Sequence, residues 1–160
     1  YSTKYKNVAE LPDQSTIAIP NDVTNESRAL YVLKNAGLIG LDSSKGALAT
    51  VKSIQSNPKH LIIKEIDAAQ TARALDSVAA SVINYNFAIS AKISEKYSIF
   101  TEPLNADSAQ WINFIAANKA DKNNKVYKAV VKAYQQENIA KLIKKEYPDG
   151  GEVPAWNLNL

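Results

Sequence analysis

Apolar and polar positions along the chain form short blocks whose period keeps changing. Residues 1–12 are polar with a brief amphipathic stretch at 8–11. Thr16-Ile17-Ala18-Ile19 is then an uninterrupted apolar run stopped by Pro20, the pattern of a short buried strand. Asn21, Asp22 and Thr24 offer helix-capping side chains, and Ala29, Leu30, Leu33 and Ala36 recur at helical spacing as far as Gly37. Residues 42–47 read as a loop and 50–55 as a short helix ended by Asn57-Pro58. A second strand is predicted at 61–66, a helix at 68–75, and a third strand of small residues at 78–83, with Asn84 directly at its end. Helix follows at 85–92, strand at 97–101, and a last strand at 111–117. Two helices close the chain: 124–135, with Val126, Val130, Ala133 and Tyr134 as its apolar face, and 137–147. Strands alternating with helices predict an α/β fold with a largely parallel sheet.

Composition narrows the possible chemistry. The 160 residues suit one domain or two very small ones, and 46% hydrophobic with 22% charged residues marks a folded chain rather than a disordered one. Basic minus acidic residues give 19 − 16 = +3, too little for a dedicated nucleic-acid binder unless concentrated in one patch. No apolar run approaches the ~20 residues that span a bilayer. The absence of Cys removes disulfides, thiolate nucleophiles and Cys-ligated metals; with His60 the single His, neither a Ser-His-Asp triad nor a His-rich metal site is expected. The 5 Gly fall in no phosphate-loop spacing. No catalytic residue, metal or cofactor is expected. There is also no Met, so the chain is expected to be a processed or partial product.

Among the 19 basic residues only Arg28 and Arg73 are arginine. A chain that uses Lys for bulk charge can keep Arg where a planar two-toothed donor must meet a carboxylate. Ligands of open α/β sheets bind beyond the carboxyl ends of strands, and two such ends are rich in polar side chains. One is the run from Pro20 through Asn21, Asp22, Asn25 and Glu26 to Arg28; the other holds Asn84 and Asn86. The first offers helix N-terminal N–H groups about one turn from a guanidinium, suited to a carboxylate. The second offers amide oxygens suited to an ammonium. Caps and turns are the alternative role for the same Asn and Asp residues. The tail, Gly150-Gly151-Glu152-Val153-Pro154-Ala155-Trp156, packs either on its own domain's core or on a neighbour.

Beyond spacing, whole motifs can be compared. The run Ala18-Ile19-Pro20-Asn21-Asp22-Val23-Thr24-Asn25-Glu26-Ser27-Arg28-Ala29-Leu30 resembles the AIPNDPTNEGRAL signature of the NlpA/MetQ family, the methionine-binding lipoproteins of ABC importers. Val23 stands for the usual Pro and Ser27 for the usual Gly. Ala36-Gly37-Leu38-Ile39 resembles the family's AGLI, and Asn57-Pro58-Lys59 its ENPKNL. Ala68-Ala69-Gln70-Thr71-Ala72-Arg73-Ala74-Leu75-Asp76 resembles AAQLPRSLDD, and Ala80-Ser81-Val82-Ile83-Asn84 resembles AVIN. Trp111-Ile112-Asn113 falls where the family has Tyr-x-Asn, and Gly150 to Trp156 resembles a GGAVPAW ending.

The resemblance implies a periplasmic-binding-protein-like, type II architecture of two hinged α/β lobes, without enzymatic activity. Residues 11–107 would be the second lobe. Residues 108–160 would supply a returning strand, two helices and a tail to the first lobe, of which roughly 100 residues would be missing. Carried over by position, Arg28 would meet the amino acid's carboxylate with Asn25 assisting, while Asn84 and Asn113 would hold the head group and Asn86 would match less consistently. Gln70 and Arg73 read as structural or inter-lobe residues. The implied ligand is methionine or a related amino acid or dipeptide, and the implied macromolecular partner is an ABC permease. No nucleic acid is involved, and the membrane enters only through a lipid anchor outside this chain. The parent would be extracytoplasmic, lipid-anchored and bacterial. A surface lipoprotein with an adhesive or host-contact role is the alternative, and an enzyme on the same scaffold a weaker one. The isolated chain is expected to self-associate or domain-swap through apolar surface such as Trp111, Ile115 and Trp156.

Overall fold

The computed structural model describes residues 1–156 and 158. The chain divides into two compact units, Tyr1–Trp111 and Ile112–Leu160.

In the first unit, strand β1 (Thr16–Pro20) is flanked by β4 (Ile62–Ile66) and β5 (Ala80–Ser81) in a parallel sheet of order β4-β1-β5. Residues 17–20 of β1 are all buried, which explains the unbroken apolar run in a central parallel strand. Its register pairs Thr16 with Ile62 and Ile17 with Ala80. β5 is short because its neighbours pair outside regular ladder geometry: the Ala79 N–H donates to the Thr16 carbonyl at 2.9 Å and the Val82 N–H to Ala18 at 2.9 Å. The outer strand β4 carries Lys64 and Glu65 exposed, which discourages edge-to-edge pairing.

Helix α1 (Val23–Asn35) starts where the Asp22 carboxylate accepts the Asn25 N–H at 3.1 Å. It ends at Gly37, whose φ of +73° suits glycine, as the Leu38 N–H returns to the Leu33 carbonyl at 3.0 Å. Its Ala29, Leu30, Tyr31 and Leu33 pack with Ile17, Ile19, Leu41 and Leu61 in the main core. Ser27, fully buried, donates to the Gly46 carbonyl at 3.0 Å and accepts the Ala49 N–H at 3.2 Å. Ser27, where the resembled motif has Gly, thus ties the 43–48 turn to α1.

Several expected elements differ. Residues 50–55 hold a 3-10 turn (Val51–Ser53) leading into β3 (Ile54–Ser56), which pairs antiparallel with β2 (Gly40–Leu41). Strands this short show no period. The expected helix at 68–75 is two 3-10 turns, Ala68–Gln70 and Arg73–Asp76. Between them the buried Thr71 hydroxyl donates to the Ala68 carbonyl at 2.7 Å, and Ser81 Oγ donates to the Thr71 carbonyl at 2.9 Å. These side-chain bonds compete with a helical ladder. Helix α2 (Tyr85–Ser90) stops early, with Lys92 at a φ of +55°. The expected strand at 97–101 is not formed: a 3-10 turn (Glu95–Tyr97) runs into irregular residues 98–101, and the Ser2 N–H donates to the Tyr97 carbonyl at 2.8 Å. Trp111 ends a 3-10 turn (Ser108–Trp111) and packs edge-on against Tyr31 at 6.0 Å, so the expected strand at 111–117 is not formed. A strand exists only beside a backbone that pairs with it, and residues 112–118 have no such neighbour among the described residues.

The second unit is built on helices α3 (Lys125–Tyr134) and α4 (Glu137–Glu146). Asn124 caps α3 by accepting the Val126 N–H at 2.9 Å. In the tail, Trp156 stacks edge-on against Tyr134 at 5.9 Å, so it packs within its own unit. Val126, Val130 and Tyr134 remain more than half exposed on α3.

Candidate functional site

Parallel strands of one sheet all point their carboxyl ends the same way, so β1 and β5 deliver the first turn of α1 and Asn84 to one edge. There Asp22, Asn25 and Asn84 form a directed relay. Asp22 is a carboxylate and only accepts, so Asn25 turns its Nδ2 toward it, at 3.0 Å from both oxygens. The Asn25 Oδ1 is thereby left to accept Asn84 Nδ2, at 2.8 Å. Asn84 donates in this bond, and its own Oδ1 has no partner among the described residues. The polarity of three side chains follows from one carboxylate.

Arg28 lies three residues beyond Asn25, on the same helix face. Its guanidinium is gripped along one edge by Glu102: Nε donates to Oε1 at 3.2 Å and Oε2 at 3.0 Å, and Nη2 donates to Oε2 at 2.6 Å. The Arg28 and Glu102 side chains are 38% and 19% exposed. At that exposure the pair adds only about 0–1 kcal/mol to stability. Its main consequence is orientation. Two further contacts fix the same segment along α1: Lys34 Nζ to Asp107 Oδ2 at 2.9 Å, and Asn105 Nδ2 to Asn35 Oδ1 at 3.2 Å.

Beside these stands Glu26, 7% exposed, whose Oε1 accepts the Val51 N–H at 3.0 Å. Burial raises its carboxyl above the ordinary 4.5, helped by Glu65 and Asp22, and outweighs the Val51 N–H, which favours the charged form. An acid with a raised folded pKa is most stabilising while protonated. That contribution falls as pH climbs from the ordinary carboxylate range through the folded value. Glu26→Gln keeps the acceptor for Val51 and removes the charge. Thermal melts across pH should therefore show the variant above the wild type near neutrality, with the gap closing in acid.

The remaining sequence candidates stand differently. Asn86 is exposed on α2, where its backbone carbonyl accepts Ser90 Oγ at 2.8 Å. Asn113 belongs to the second unit and is exposed. Gln70 and Arg73 sit exposed on the 3-10 turns. Glu102 escaped the sequence reading because its partner lies 74 residues away, a separation with no periodic signature. The scarcity of Arg, with Arg28 one of two, was the only hint that a carboxylate would face it. No cluster of three or more His, Cys, Asp or Glu that could hold a metal occurs among the described residues, and no described helix is long and apolar enough to cross a membrane.

Known structures share this α/β architecture. The substrate-binding protein of a methionine transporter from Streptococcus pneumoniae is 47% identical, with a TM-score of 0.77 over 96% of this chain and 59% of that one. A nutrient-binding protein from Burkholderia cenocepacia, solved bound to methionine, is 40% identical with a TM-score of 0.81, over 98% of this chain and 65% of that one. The NlpA lipoprotein family is matched over residues 1–156. A Vibrio cholerae relative named "Probable D-methionine-binding lipoprotein MetQ" is 43% identical over 98% of the chain and 57% of its own length. The chain belongs to the NlpA lipoprotein family. It spans little more than half the length of the curated relatives it matches.

Proposed function

We propose that this chain carries the head-group site of a receptor for methionine or a closely related amino acid or dipeptide, serving an ABC importer. The observation that carries the reading is the directed relay from Asp22 through Asn25 to Asn84, in which Asn25 lies about one helical turn before Arg28 on α1. An amino acid is a zwitterion. Arg28 offers a planar cation for its carboxylate, and Asn84 Oδ1 offers a fixed acceptor for its ammonium. Asn25, with both amide atoms engaged inside the protein, orients Asn84. Asn86 and Asn113 are carried as candidates from their sequence positions alone.

In this reading residues 11–107 form one lobe and 108–160 contribute to the other. The receptor closes on its ligand by a hinge motion, and the closed form engages the permease. Relatives named as lipoproteins support an extracytoplasmic, lipid-anchored setting for the whole protein. Their names as binding proteins support transport rather than turnover.

Calorimetric titration of the full-length protein with L-methionine, D-methionine, other amino acids and dipeptides tests this. Saturable binding to one of them is expected, weakened about tenfold in Asn84→Ala by the loss of one hydrogen bond to a charged group. Silence across the panel would contradict the reading.

A further inference from the structure

We propose that Glu102 is a positioning residue for ligand recognition: it holds the inner edge of the Arg28 guanidinium so that the outer edge faces a ligand carboxylate. The inference rests on the amino-acid receptor reading and extends it to a residue outside the recognised motifs.

A guanidinium has two edges able to grip a carboxylate with paired N–H groups, one formed by Nε and Nη2 and the other by Nη1 and Nη2. Glu102 takes the first, through three contacts of 3.2, 3.0 and 2.6 Å. Nη1 has no partner among the described residues, so the second edge keeps its donors. One carboxylate therefore does not exclude another. Without Glu102, the long Arg28 side chain would sample several rotamers, and ordering it would fall to the ligand.

Glu102 is itself held. Its segment is pinned to α1 further along by Lys34 to Asp107 at 2.9 Å and by Asn105 to Asn35 at 3.2 Å. Its side chain is only 19% exposed. The anchored loop thus supplies a fixed carboxylate to a flexible cation, and the position of one sets the other.

The alternative is that Glu102 mimics the ligand's carboxylate and must be displaced. The two roles have opposite signs. If Glu102 competes, its removal tightens binding; if it positions, its removal weakens binding.

The test compares wild type, Glu102→Ala, Glu102→Gln, Arg28→Ala and the Arg28→Ala/Glu102→Ala double variant of the full-length protein. L-methionine is titrated against L-methioninol, which has an alcohol in place of the carboxylate, and melting curves are run for each variant. Glu102→Ala is expected to weaken L-methionine about tenfold, the coupling typical of contacting charged groups. It should leave L-methioninol unchanged and add nothing in the Arg28→Ala background. Glu102→Gln, which keeps a carbonyl acceptor, should fall between wild type and Glu102→Ala. Three results would overturn the inference: tighter L-methionine binding in Glu102→Ala, no change, or equal losses for both ligands that persist without Arg28. A wild type that binds no member of the amino-acid panel brings down the receptor reading and this inference with it. A wild type that binds, with Glu102→Ala indistinguishable from it, brings down this inference alone.

Discussion

Arg28→Ala is expected to cost the full-length protein about 2–4 kcal/mol of methionine affinity, roughly 30- to 1000-fold, by removing charge-assisted hydrogen bonds to the carboxylate. Stability should hardly change. Arg28 is 38% exposed and its pair with Glu102 is worth only about 0–1 kcal/mol, so neither its loss nor a hydrated Glu102 threatens the fold. Arg28→Lys separates charge from shape. It keeps a cation but loses the planar fork, and its affinity should lie between the other two. Calorimetry with matched melting curves reads both effects. Binding within twofold of wild type in Arg28→Ala would remove this residue from the site.

The second large effect is structural. Leu30 is fully buried on α1 and belongs to the core formed with Ile17, Ile19, Leu41 and Leu61. Truncation to Ala leaves a cavity under the helix that presents Asn25 and Arg28. The expected loss is about 2–5 kcal/mol, a large share of the ~5–15 kcal/mol by which domains are stable. Leu142→Ala is the matched control, since Leu142 on α4 is 51% exposed and should cost less than about 0.5 kcal/mol. Urea unfolding of both variants measures the contrast. Equal midpoints would mean that α1 is not seated on the sheet as described.

How much of this was legible in the sequence depended on whether the signal was local. β1 and α1 were readable because an apolar run, a capping Asp22 and a terminating Gly37 all lie within their own segment. The same holds for α3 and α4, whose periods are strong. The 68–75 segment misled because its helical composition is overruled by the Thr71 and Ser81 hydroxyls, which divert backbone carbonyls. Residues 111–117 have strand-like composition, but composition does not supply a pairing neighbour. At the site, Asn25, Arg28 and Asn84 came from motif and strand-end reasoning. Their wiring did not. The order Asp22 to Asn25 to Asn84 depends on a contact across 59 residues, and the Glu102 grip on one across 74.

The central claim is that Arg28 and Asn84 together recognise the two charges of an amino acid's head group. A crystal structure of the full-length protein with L-methionine tests it most directly. The expected structure has the ligand carboxylate on the outer edge of Arg28, its ammonium on Asn84 Oδ1, and Glu102 still on Nε. A bound methionine whose carboxylate lies beyond hydrogen-bonding distance of Arg28 would contradict it.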